Sequence, residues 1–193
     1  MKTERTFPKI TVTKKAETSL RAGHPWVYDA EITDISSDGP IENGAFADVV
    51  SQKGSYLGTG FYSEKSKIRV RILAQNANET FGEAFFERRL RYAVDYRKTV
   101  MQEDFSNCRL IFGEADGLPG LTVDRFSNIL VAQVLSYGMD VHLTSARGSP
   151  LSMQAYRFLP LKSLSRFARS LIFTPILSLR ARLKTDRQRC SSE

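Results

Sequence analysis

Within the first 74 residues, five short runs rich in β-branched and aromatic side chains are separated by glycine, proline and asparagine. PKITVTKK, PWVYDAEI, FADVVS, YLGTGFY and KIRVRIL each read as a strand, several with apolar and polar residues alternating. Turn signals stand between them: Ala22-Gly23-His24-Pro25, Ser37-Asp38-Gly39-Pro40, Glu42-Asn43-Gly44 and Lys53-Gly54. Many short strands at a spacing of roughly 8–12 residues predict one small barrel. Ala16 to Arg21 adds a helical turn, and Gly58 and Gly60 give the YLGTGFY strand room to bend.

After Asn78 the period changes. In EAFFERRLRYAVDYRKTVM the residues Phe86, Leu90, Ala93, Val94, Tyr96 and Val100 fall at helical spacing, with Arg and Glu opposite. That pattern predicts a helix from about Phe81 to Met101. Three strand-like runs follow, CRLIFGEA, TVDRF and NILVAQVLS, and Asp116-Gly117-Leu118-Pro119-Gly120 reads as the turn between the first two. From about Val141 the character shifts again: residues 141–193 hold nine Ser, nine Leu and eight Arg but one Gly, interrupted by Pro150, Pro160 and Pro175. Leu161, Leu164, Phe167, Ala168, Leu171 and Ile172 would line one face of a short basic amphipathic helix, the kind that lies on membranes or partners. Chance also produces this pattern in a Leu/Ser/Arg-rich stretch. The fold class expected is α+β: a small β-barrel over 1–74, a helix and partial mixed α/β domain over 75–140, and an irregular or partly helical basic tail over 141–193.

Composition narrows the function classes. With 41% hydrophobic and 25% charged residues the chain is globular. Its apolar runs fall well short of the ~20 residues that span a bilayer. MKTERTFPKI carries no apolar leader core, so the expected location is cytoplasmic. Two cysteines, Cys108 and Cys190, and two histidines, His24 and His142, make neither a disulfide framework nor a metal site expected. The net charge of +7 is unevenly spread: residues 1–140 sum to −1 and residues 141–193 to +8. The basic pI therefore describes the tail and not the body.

No nucleophile stands out. GxSxG is missing, Cys108 reads as a small buried hydrophobe at the start of a strand, and Gly58-Thr59-Gly60 lacks the third glycine and following helix of a dinucleotide loop. No catalytic, cofactor-binding or metal-ligating residue is assigned. The informative cluster is Arg21, His24 and Trp26 with the run Lys65-Ser66-Lys67-Ile68-Arg69-Val70-Arg71. As a strand, this run would put Lys65, Lys67, Arg69 and Arg71 on one face and Ile68, Val70 and Ile72 toward the core. Four aligned cations repel, so a counter-charge is expected: either the acidic block from Asp29 to Asp48, or a polyanion whose phosphates meet them at ~3.3 Å steps. His24 and Trp26 could stack on an unpaired base; Trp26 could equally anchor the core. From the residues alone, RNA binding and a solvated face stay level.

Ser19-Leu20-Arg21-Ala22-Gly23-His24-Pro25-Trp26-Val27-Tyr28, then GTGFYSEKSKIRVRIL, then CRLIFGEADGLPGLTVDRF together resemble the N-terminal part of the bacterial 23S rRNA cytosine-C5 methyltransferase family over roughly residues 8–140. The resemblance implies a PUA-type barrel followed by a small α/β hairpin domain. It also implies RNA, ribosomal in this family, as the partner, held by Arg21, His24, Lys65, Lys67, Arg69 and Arg71. Full-length members carry a further Rossmann-type domain with S-adenosylmethionine and a cysteine nucleophile. No glycine-rich strand-loop-helix or Ser-Pro-Pro-Cys-like loop follows residue 140, so no cofactor and no methyl transfer are expected of this chain alone. Composition and resemblance break together near Gly138-Met139-Asp140-Val141, and residues from about 141 are read as out of frame with what precedes them. Two other outcomes are carried: a stand-alone RNA- or membrane-surface-binding adaptor with a native tail, and an inert, partly misfolded pseudogene product whose exposed sheet edge in the second domain invites aggregation or a homodimer.

Overall fold

The computed structural model describes residues 5–127, 129–144 and 156–160. Among the described residues there are two sheets and three α-helices. The first sheet contains β1 (Lys9–Val12), β2 (Trp26–Tyr28), β3 (Ile32–Ser36), β4 (Phe46–Ser51), β5 (Tyr56–Tyr62) and β6 (Ile68–Ala74), in the spatial order β2-β6-β5-β4-β1-β3. All its pairs are antiparallel except β1 with β4. The sheet curls around Ile10, Val12, Val27, Ala47, Val49, Leu57, Val70 and Ile72, all buried. At the β5–β6 pair the register shifts beside Gly60, where a Cβ would lie 2.2 Å from the Arg71 carbonyl oxygen. Only glycine lets the two backbones meet there, which is the bend expected of YLGTGFY.

Helix α1 (Lys14–Arg21) is two turns long instead of one. Thr13 caps it by accepting the Ala16 N–H, and Ala16 and Leu20 are buried in the core of the first sheet. The run PWVYDAEI, read as one strand, divides into β2 and β3 around a 3-10 turn at Asp29–Glu31. The Glu31 carboxylate takes the Tyr28 N–H at 2.9 Å, a local side-chain bond that competes with the ladder and turns the chain.

Helix α2 (Glu83–Met101) buries Phe85, Phe86, Leu90, Ala93 and Val94 against the second sheet, made of β7 (Asn107–Phe112), β8 (Leu121–Phe126), β9 (Ile129–Val134) and β10 (Tyr156–Pro160). Its order is β10-β9-β8-β7, antiparallel throughout. The tail was expected to be irregular or partly helical; its residues 156–160 instead pair with β9, whose N–H and C=O row would otherwise be an open edge. The candidate amphipathic helix at 161–172 and Cys190 lie outside the described residues.

The core of the second sheet includes Phe61, Leu73 and Ala74, which belong to barrel strands. Helix α3 (Tyr137–Thr144) closes this junction. Gly138 sits so near the barrel that a Cβ would lie 2.3 Å from the Phe61 ring. One turn further, the His142 ring stacks on Phe46 at 4.2 Å and on Phe61 at 5.1 Å, and its Nε2 lies 3.1 Å from the Gly44 carbonyl oxygen.

Candidate nucleic-acid interface

Strand β2 is an edge of the barrel sheet, paired only with β6. Val27 points inward and is fully buried, so Trp26 and Tyr28 point outward. His24 joins them: its ring lies 5.7 Å from Trp26, edge-on, and 6.1 Å from Tyr28, stacked. Trp26 is therefore not the core anchor of the barrel; Val27 takes that place. The three rings form an aromatic strip at the sheet edge.

Beside this strip runs β6. Arg71 stands opposite Trp26 in the register, with its guanidinium 5.5 Å from the ring centroid. Arg69 Nε donates to Asp29 Oδ1 at 2.7 Å. The carboxylate of Asp29 holds the guanidinium proton still more firmly than usual. Asp29 is the first residue of the acidic block, so part of the expected counter-charge comes from there. The rest does not. Arg71 Nη1 donates at 2.7 Å to Glu114, in the loop after β7, and Glu114 also accepts the Trp26 indole N–H at 2.9 Å. No spacing in the sequence announces a pair 43 residues apart.

The expected row of four cations on one strand is corrected. Strand β6 begins at Ile68, and Lys65 and Lys67 lie in the preceding turn, where Ser66 Oγ accepts the Ile68 N–H at 3.1 Å. Val70 and Ile72 are buried as expected, while Ile68 is only half-buried. Lys65 and Lys67 are exposed and have no ion-pair partner among the described residues. Arg21, at the end of α1, bonds Glu17 at 3.1 Å and stays half exposed. The Glu17 carboxyl titrates below its usual range because Lys14 and Arg21 both donate to it. The barrel thus presents two unpaired lysines on a hairpin tip, two arginines already neutralised on the strand, and three aromatic rings along the edge. A groove of about 440 Å³, lined by Asp29, Tyr62, Lys65 and Arg69 among others, indents the surface at the root of that hairpin.

The other motifs are structural. Asp116 accepts the Phe112 N–H at 2.6 Å and the Arg97 guanidinium at 2.9 Å, which ties the DGLPG turn to α2. Asp124 pairs with Arg109 at 2.7 Å. Cys108 is buried in the second core, and that burial pushes its thiol up, away from the thiolate a nucleophile needs. No group of three or more His, Cys, Asp or Glu is placed to hold a metal among the described residues. Nor does the second sheet suit S-adenosylmethionine: among the described residues its pairs are all antiparallel, without the β-α-β crossover at whose strand ends a nucleoside lodges. Among the described residues no helix is long and apolar enough to cross a membrane.

This architecture, a curled six-stranded sheet with a short helix packed on its core, defines the class: residues 10–75 match the PUA-like domain family. The likeness extends past that domain, to part of longer proteins. The chain is 40% identical over 139 residues to ribosomal RNA large subunit methyltransferase I of Klebsiella pneumoniae subsp. pneumoniae, covering 72% of this chain and 34% of that protein. To the protein of the same name from Salmonella typhi it is 39% identical over 142 residues, 72% of this chain and 35% of the other. The chain therefore spans about a third of the length of the curated relatives it matches. A solved chain from Streptococcus mutans, assigned as a SAM-dependent methyltransferase, shares the fold at a TM-score of 0.56 and 17% identity, over 67% of this chain and 33% of that one.

Proposed function

We propose that this chain is the RNA-binding part of an rRNA cytosine-C5 methyltransferase, and that its 193 residues hold structured RNA without methylating it. The observation that carries the reading is the pairing of Lys65 and Lys67, free of carboxylate partners among the described residues, with the His24, Trp26 and Tyr28 strip on one barrel edge. Lysines supply sequence-independent attraction to phosphate, and aromatic faces take unpaired bases. Similarity to ribosomal RNA methyltransferases supports ribosomal RNA as the partner. Six phosphate contacts through Arg21, His24, Lys65, Lys67, Arg69 and Arg71 would give a log–log salt slope of about −4 to −5. Asp29 and Glu114 already neutralise two of those cations, so four contacts remain and a slope of about −3 to −4 is expected instead.

The domain division at 74 and 140, and the out-of-frame origin of the residues beyond, belong to the same proposal. Translating the coding DNA past codon 140 in its other two frames tests the latter; finding no methyltransferase-like sequence there would sink it. The functional test is titration of the full chain with a ribosomal RNA fragment at several salt concentrations. The full chain is required because a cut after residue 140 falls inside α3 and removes His142 from its seat between Phe46 and Phe61. A salt-sensitive affinity that drops in Lys67→Ala supports the reading. Affinity unaffected by Lys67→Ala, but lost on removing the residues after 160, would assign RNA binding to the basic tail.

A further inference from the structure

Where the β5–β6 hairpin faces the β9–α3 junction, the barrel and the second sheet leave a cleft of about 250 Å³. Ser63, Lys65 and Ser66 line the barrel side together with Arg71, and Leu135 and Tyr137 line the other. The two walls differ in chemistry. Ser63 is only 8% exposed, its N–H is held by the Arg69 carbonyl oxygen at 2.8 Å, and its hydroxyl makes no hydrogen bond among the described residues. The hydroxyl opens on the cleft with no partner among the described residues, so it is available to a ligand or to water. Lys65 brings a positive charge with no ion pair among the described residues. Across from them Leu135 is 48% exposed although its backbone is fixed, its N–H bonding the Gly120 carbonyl oxygen at 2.7 Å. The Tyr137 ring beside it rests on Gly44.

A cation and one free hydroxyl facing an apolar wall across a cleft of about 250 Å³ match a phosphate with its base. We propose that this cleft takes a single unpaired nucleotide of the bound RNA, its phosphate on Lys65 and Ser63 and its base against Leu135 and Tyr137. The proposal rests on the RNA-binding reading and names the form of RNA that reading leaves open. Duplex RNA has every base stacked and paired, so none can enter without being extruded. Arg71 joins the cleft to the aromatic strip, since its guanidinium also lies 5.5 Å from the Trp26 ring. Trp26 is the only tryptophan of the chain, so its emission reports on occupation of the cleft.

The test uses the full chain with a labelled, unstructured pyrimidine oligoribonucleotide and, separately, the same strand annealed to its complement. The single strand is expected to bind more tightly than the duplex and to change Trp26 emission. Leu135→Glu places a negative charge on the exposed wall and is expected to weaken single-strand binding about tenfold, as when one base no longer stacks, while duplex binding is unchanged. Ser63→Ala is expected to weaken it about threefold to tenfold through loss of one hydrogen bond. Single-strand binding unaltered by both changes, but weakened by Lys67→Ala, would overturn the cleft and leave the basic hairpin as the RNA site. Binding of neither RNA by the unmodified chain would overturn the RNA reading itself. Circular dichroism of each variant verifies that the fold is retained.

Discussion

Arg71 and Glu114 meet at 2.7 Å across the boundary between the barrel and the second sheet, and the same carboxylate oxygen holds the Trp26 indole N–H at 2.9 Å. One acidic side chain thus fixes both the cation at the centre of the candidate interface and the aromatic ring next to it. The pair is well shielded, with the two side chains 17% and 23% exposed. Glu114→Ala is expected to cost about 1–3 kcal/mol in a urea unfolding series, because it leaves an indole donor and a guanidinium without their acceptor. RNA affinity at low salt should rise, since a positive charge is released toward the ligand. A fall in affinity with stability intact would show that Glu114 serves the RNA directly.

Asp29 holds the Arg69 guanidinium that a phosphate would otherwise take. It is 61% exposed, so the pair adds at most about 1 kcal/mol to stability. Asp29→Asn should therefore leave unfolding nearly unchanged while steepening the salt slope of RNA binding by about one. Lys67→Ala should flatten the slope by the same amount, because one phosphate fewer is neutralised. Opposite signs from two exposed substitutions are hard to obtain from a general effect on folding.

His142 titrates below its usual 6.5 because it is buried between Phe46 and Phe61, an effect the Gly44 carbonyl only partly offsets. The unfolded chain accepts a proton at this residue more readily than the folded one. Stability is therefore full above about pH 6.5 and falls as the pH drops from there toward the folded value, below which the loss levels off. Thermal melts between pH 7.5 and 5 should show this decline in the native chain, and His142→Phe should remove it. An unchanged pH profile in the variant would place the titration elsewhere.

Arg5 is the cation of a buried cluster. Its guanidinium donates to Asp48 at 3.1 Å, to Thr59 at 2.6 Å and to the Glu79 carbonyl at 2.7 Å, and Asp48 also accepts from Thr59. Arg5→Ala strands the Asp48 carboxylate, which is only 7% exposed as a side chain, and should cost about 3–5 kcal/mol. Asp48→Asn in the same background should recover much of that loss, because no charge is then left unpaired. A chemical denaturation series on the native chain and the two variants measures both effects.

Much of this was legible from the residues. FADVVS and YLGTGFY became β4 and β5 with their bounds intact, because each is a dense β-forming run closed by turn residues. Helix α2 ends at Met101 as its periodicity required. Local pattern failed where a side chain made a bond that pattern does not encode. Glu31 bonding the Tyr28 N–H broke one expected strand into two, and Ser66 bonding the Ile68 N–H kept Lys65 and Lys67 in a turn. Arg69 met the acidic block that charge repulsion called for, but Glu114 and Arg5 reach partners 43 residues away, beyond any periodicity. His142 lay past a break in composition and so passed as part of the tail, although it closes the core.

The seat of α3 has a consequence for how the chain is made. His142 bonds a carbonyl 98 residues earlier, and Gly138 rests on Phe61. At a synthesis rate of roughly 5–20 residues per second, the barrel leaves the ribosome several seconds before α3 exists to cover it. Throughout that interval Phe46 and Phe61 face water, and a nascent chain stalled there would present a chaperone with the sticky surface that the finished protein conceals.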